Sequence, residues 1–158
     1  MGLRELNKEL KQMEKAEIIK MISELYKSVP MAKGYLDIFA TGNTKQLIEK
    51  YKIEIEKYVY PHGREMLLRE KEAQKLIRTI RKMKIPELSI SLELHYVHCC
   101  IEVIEDFGYF DETYYASVDR MFYSATKSIT ENSLEAKYDK LIANLVSKSY
   151  KFGLDFEY

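Results

Sequence analysis

Apolar residues recur every three or four positions along almost the whole chain, the period of an amphipathic helix. In KAEIIKMISELYKSV the set Ile18, Ile19, Ile22, Leu25, Tyr26 and Val29 makes one stripe. Pro30 suits the first turn of a following helix, PMAKGYLDIFAT, which Gly42 closes. Asn43 is the expected N-cap of TKQLIEKYKIEIEKYVY, where Leu47, Ile48, Tyr51, Ile55, Tyr58 and Val59 share a face. YPHGR, at 60 to 64, is the clearest break. Helical spacing resumes by about Arg69 and runs to Lys84, with Ala73, Leu76, Ile77, Ile80 and Met83 inward. Pro86 opens a long helix that reaches Phe107 and stops at Gly108. Asp111 caps the next, from Glu112 to about Ile129, with Tyr115, Val118, Phe122 and Ala125 inward. Asn132 or Ser133 caps the last, anchored by Leu134, Tyr138, Leu141, Leu145 and Tyr150 and ended near Gly153.

One stretch is ambiguous. LSISLELHY, residues 88 to 96, alternates apolar and polar and would pass as a strand. At the helical angle per residue, however, Glu87, Ser91, His95, His98, Glu102, Glu105 and Asp106 gather within about a third of the circumference. Leu92, Leu94, Tyr96, Val97, Cys100, Ile101, Val103, Ile104 and Phe107 cover the rest, with Cys99 at the edge. A strand would scatter those polar groups over both faces, so a mostly buried helix with one narrow polar stripe is expected.

The composition agrees with helices. Only 6 Gly and 3 Pro among 158 residues leave little material for many turns. The expected fold is all-α, with six to eight mostly antiparallel helices in an irregular bundle or a short HEAT-like solenoid. A chain of this length is expected to form a single domain over residues 1–158 and to bury about 70% of its unfolded surface. Basic and acidic side chains number 25 each, so net charge supplies no pull toward nucleic acid or an anionic membrane. No apolar run is long enough to span a bilayer. The charged MGLRELNKELKQMEK lacks the apolar core of a signal peptide, and Leu6 breaks the myristoylation pattern. With two adjacent cysteines and no disulfide framework, a reducing cytoplasm is the expected location.

The stretches SELYKSVPMAKGYLDIF, LIEKYKIEIEKYVYP and DFGYFDETYYASVDRMFYSA together resemble a family of uncharacterised bacterial all-helical proteins, a domain of unknown function. The resemblance covers most of the chain and is strongest over 106 to 125. There an acidic residue and Gly end one helix, Asp-Glu starts the next, and paired aromatics follow. These are capping and packing residues. The resemblance implies a helical fold in a bacterial, cytoplasmic protein, and no activity, cofactor or site residue.

HYVHCC, residues 95 to 100, holds two of the three histidines and both cysteines. His95, His98 and Glu102 lie on one helical face, with Cys99 alongside, and a second helix could complete a metal site. The pair C-x-x-C and the motif H-E-x-x-H are both absent, and adjacent cysteines cannot both turn toward one ion on a regular helix. The preferred reading is therefore a polar seam with no metal, Cys100 serving as a small core hydrophobe. Residues 64 to 84 carry eight basic and three acidic side chains, and Lys71, Lys75, Arg78 and Lys82 form a stripe opposite the apolar face. Phosphate contacts would need such a stripe. No aromatics interleave with it for base stacking, and a solvated face is preferred. It could also face residues 102 to 119, which hold six carboxylates and no basic residue. YPHGR reads as a turn rather than an anion cradle built from backbone N–H groups and Arg64, because one Gly is too few for a phosphate loop. His62 has no partner in sequence for nucleophilic chemistry. The 13 tyrosines, among them Tyr51, Tyr58, Tyr60, Tyr114, Tyr115 and Tyr123, read as core margin before contact surface.

The leading expectation is a non-enzymatic helical protein-interaction module with no catalytic residue and no cofactor, binding an unknown protein or itself. A weak nucleic-acid binder using Lys71, Lys75, Arg78 and Lys82 stands second, and a metal-binding protein using His95, His98 and Glu102 third. The closing KFGLDFEY is expected to pack Leu154, Phe156 and Tyr158 back onto its own chain.

Overall fold

The computed structural model describes residues 2–61 and 68–156, which form eight α-helices and no strand. YPHGR beyond Pro61 and Tyr158 fall outside the described residues, so the turn, Arg64 and His62 readings do as well. Two compact units divide the chain, Met1–Asn43 and Thr44–Tyr158. Among the described residues no helix is long and apolar enough to cross a membrane.

The first unit contains α1 (Leu3–Gln12), α2 (Lys15–Ser28) and α3 (Pro30–Thr41). Pro30 starts α3 because its fixed φ suits the first helical turn. Gly42 ends it at φ 66°, a left-handed conformation that glycine adopts without Cβ strain, and donates its N–H to the Ile38 carbonyl at 2.7 Å. α2 packs on α3, and the Tyr26 hydroxyl donates to Asp37 at 2.9 Å. Gly34 is the one buried residue among those described here. The α2 stripe is amphipathic as expected. Its members Ile19, Ile22, Leu25, Tyr26 and Val29 are nevertheless exposed, because two short helices cannot cover each other's apolar faces.

The second unit is a bundle around one central helix. α6 (Pro86–Phe107) packs against α4 (Lys45–Val59), α5 (Glu70–Arg81), α7 (Glu112–Glu131) and α8 (Glu135–Tyr150). In a solenoid each repeat touches only its neighbours, whereas here one helix meets four others. LSISLELHY is helical throughout, and α6 buries twelve residues, including Leu92, Val97, Cys100 and Ile101. Its expected polar stripe is present: Glu87, Ser91, His95, His98 and Glu102 are half-buried, and Glu105 and Asp106 are exposed. Phe107, assigned inward, is exposed at the helix end. Asp111 caps α7 by accepting the Tyr114 N–H at 2.8 Å.

Several boundaries and faces differ from expectation. Thr44, not Asn43, precedes α4. Asn132 serves the end of α7, donating its side-chain amide to the Ser128 carbonyl at 2.8 Å, and α8 starts at Glu135. α8 turns Ile142 and Ser149 inward and leaves Leu141 and Tyr150 exposed. On α7 it is Tyr114 that is buried, and Tyr115 sits at the margin.

Beyond α8, Gly153 takes φ 77° and the Leu154 N–H reaches back to the Ser149 carbonyl at 3.2 Å. Leu154 and Phe156 are buried, and the Phe156 ring stacks on Phe122 with centroids 4.1 Å apart and planes within 9°. The tail thus packs within its own chain. Phe156→Ala is expected to lower stability by about 2–3 kcal/mol in denaturant titration. Light scattering should show the same oligomeric state as the parent chain; a change of state on substitution would contradict intrachain packing.

Candidate functional site

The turn of α6 that carries HYVHCC faces α4 on one side and α7 on the other. On the α4 side, His95 Nε2 lies 3.0 Å from Glu56 Oε1. Cys99, one turn along α6, places its Sγ 3.5 Å from the same nitrogen. The three donor atoms lie within 4.8 Å of one another. His98 points elsewhere and pairs with Glu102 at 3.2 Å. The structure therefore divides the sequence trio: His98 and Glu102 form one pair, and His95 joins Glu56 and Cys99. Glu56 is the member that the sequence did not single out. It lies on a helix distant in the chain, and only the docking of α4 on α6 supplies it.

Burial pushes the His95 imidazole below its ordinary pKa, against the opposing pull of the Glu56 carboxylate. Burial likewise pushes both thiols up, Cys100 to about 12, so both are protonated at neutral pH. A Cys–His nucleophile needs a depressed thiol and a carboxylate on the far ring nitrogen. Here the carboxylate and the sulfur share Nε2, and Cys99 is 2% exposed. The geometry suits ligation better than nucleophilic attack.

Cys100 belongs to the opposite side of α6. The Tyr114 hydroxyl donates to its carbonyl at 3.4 Å. Beside it the Tyr96 hydroxyl accepts from Gln74 at 2.8 Å and lies 3.5 Å from Ser117 Oγ. These contacts settle the hydroxyls of rings packed into the core.

A second polar cluster lies where α5 ends and α7 nears its end. Glu93 of α6 is buried at 2% exposure. One carboxylate oxygen accepts from Arg81 Nε and lies 3.4 Å from Ser124 Oγ. The other finds no hydrogen-bond partner among the described residues. Arg81 also donates to Ser124 Oγ at 2.9 Å and approaches the Met121 sulfur at 3.4 Å. An open cavity of about 380 Å³ adjoins them, also lined by Lys84, Ser89 and Lys127. Burial raises the Glu93 pKa, and Arg81 and Ser124 oppose the rise. Glu93 faces away from the polar stripe of α6, a signal legible on a helical wheel.

Lys71, Lys75, Arg78 and Lys82 are all exposed, Lys82 just past the end of α5. Among the described residues none of them pairs with the acidic segment 102 to 119. The tyrosines divide: Tyr51 and Tyr114 are buried, Tyr58, Tyr60 and Tyr115 sit at the margin, and Tyr123 is exposed. Tyr60 donates to Asp106, tying the end of α4 to the end of α6.

No curated protein and no solved structure matches the chain. One family model does match, over residues 1–155, and it carries no assigned activity. That span takes in both units and all eight helices, so the chain belongs to the family of unknown function DUF6155.

Proposed function

We propose that this chain is a non-enzymatic helical module that binds protein through its α2–α3 hairpin, with a second copy of the same hairpin as the occupant. One observation carries the reading. Ile19, Ile22, Leu25, Tyr26, Val29, Tyr35 and Phe39 are each at least 37% exposed, Phe39 at 81%. A unit that buries only Gly34 among its described residues has no core of its own to justify so much aliphatic and aromatic surface. Surface of this kind marks interaction sites in soluble proteins. Charge supports self-pairing: residues 1–43 hold seven basic and six acidic side chains, so two copies do not repel. Two hairpins laid face to face would form a four-helix arrangement with the stripe inside. A reducing cytoplasm fits the two free neighbouring thiols.

Light scattering over a concentration series tests this. The full chain should dimerise, and Ile22→Asp combined with Phe39→Asp should return it to monomer without changing the melting of the second unit. A full chain that stays monomeric at its highest attainable concentration removes self-association. Weak nucleic-acid binding through Lys71, Lys75, Arg78 and Lys82 is the second reading, favoured by their shared exposure. It would take first place if retention on duplex DNA fell steeply with salt and was lost in Lys75→Glu with Arg78→Glu.

A further inference from the structure

We propose that Glu56, His95 and Cys99 form a binding site for a single divalent metal ion of the zinc class. The inference stands apart from the hairpin, since all three residues belong to the second unit.

Two features of the sequence argue against a metal: the common ligand spacings are absent, and Cys99 and Cys100 cannot both turn to one ion. The second rests on both cysteines being needed. The structure removes that objection by needing only Cys99. Cys100 lies among Tyr96 and Tyr114 on the other side of α6, and Glu56 of α4 takes the vacant role. The remaining pattern, His95 and Cys99 one turn apart, puts both donors on one helical face.

The distances support a shared ion. A tetrahedral centre with bonds of about 2.0–2.3 Å separates its donors by about 3.3–3.8 Å. His95 Nε2 stands 3.0 Å from Glu56 Oε1 and 3.5 Å from Cys99 Sγ, and the widest separation in the set is within 4.8 Å. Those separations bracket the tetrahedral spacing, so binding an ion asks for shifts on the order of an ångström or less at each donor. Imidazole, thiolate and carboxylate together match a borderline-soft ion such as Zn²⁺ or Co²⁺ and not Mg²⁺ or Ca²⁺, which take oxygen ligands.

The proton balance is simple. Cys99 gives up its thiol proton to solvent on binding. His95 stays neutral and offers Nε2, its proton carried on Nδ1. Glu56 binds as the carboxylate. One proton leaves for each ion bound, and the bound ion carries two anionic ligands, so its charge is matched. Among the described residues no fourth protein donor joins the set. The Glu56 side chain is 52% exposed, so water can reach the site from the Glu56 side and would supply a fourth ligand. That is the coordination pattern of a metal that can accept an outside ligand.

Cobalt reports the ligand set directly. Titrating the full chain with Co²⁺ under reducing conditions should produce thiolate-to-metal charge-transfer absorption and the intense visible bands of a tetrahedral site, at one ion per chain. Zn²⁺ should displace them. Cys99→Ala should abolish the charge transfer, and His95→Gln and Glu56→Gln should each weaken binding by at least about tenfold. Cys100→Ala and His98→Ala should leave the spectrum in place and affinity within about twofold, and they serve as controls for folding and for the wrong ligand set. Circular dichroism of each variant separates lost ligation from lost structure. The proposal is overturned if the full chain shows no cobalt spectrum, if the charge transfer survives Cys99→Ala, or if His98→Ala removes it.

Discussion

Ile101→Asp is expected to unfold the Thr44–Tyr158 unit. Ile101 is fully buried on α6, the helix that meets α4, α5, α7 and α8. A carboxylate there would be desolvated and would displace a fully buried side chain. The cost, several kcal/mol or more, approaches the whole stability of about 5–15 kcal/mol available to a domain. Circular dichroism and denaturant titration should show loss of the cooperative transition. His98→Ala, three residues earlier, supplies the contrast. His98 is half-exposed and pairs with Glu102 one turn away, a contact worth about 0.5 kcal/mol, so its loss should cost under about 1 kcal/mol. If His98→Ala melted like Ile101→Asp, the polar stripe of α6 would be part of the core instead.

Arg81→Ala is the second large effect. It removes the cation beside Glu93, which is buried and already has one oxygen without a partner. Breaking a fully buried ion pair costs about 3–5 kcal/mol because the remaining charge stays desolvated; the Arg81 side chain is 38% exposed, so the loss here falls toward or below the lower end of that range. Its dependence on pH has a definite sign. Burial raises the folded-state pKa of Glu93 above its unfolded value. Ionised Glu93 therefore opposes folding above that window, and the penalty fades as pH falls through the folded pKa. Without Arg81 the folded pKa climbs further. Denaturant titration should show a large deficit at about pH 7 that shrinks at about pH 5. Arg81→Ala with Glu93→Gln should recover most of the loss at neutral pH. An equal deficit at both pH values would mean that Arg81 acts through its packing on Met121 and not through the charge of Glu93.

Both predictions turn on features of unequal legibility. Pro30, Gly42, Pro86, Gly108 and Asp111 mark helix ends through local backbone chemistry, and each does so in the structure. Helical phase is nearly as local: Val97, Cys100, Ile101 and the stripe from Glu87 to Asp106 fall where the wheel puts them. Errors arise where one position separates two faces. Tyr114 and Tyr115 are adjacent aromatics, and only the seat offered by α6 chooses between them. Leu141 and Tyr150 fit the apolar period of α8, but the buried face runs through their neighbours Ile142 and Ser149. The α2 stripe was read correctly as amphipathic, but periodicity records that a face is apolar and not what covers it. The Glu56–His95–Cys99 cluster is partly legible for the same reason. Its α6 members share a face in any helix, while Glu56 arrives only through the way α4 docks.

The placement of α6 bears on how the chain is made. Synthesis proceeds from the N-terminus, and α6 emerges from the ribosome with α4 and α5 available but before α7 and α8 have followed it out. The surface that Val118, Phe122, Ala125 and Ile129 of α7 will cover is bare during that interval. The nascent unit is then half a bundle, open on the side that α7 will cover. That makes the segment after Phe107 the point where translation speed and chaperone access matter most for the yield of folded protein.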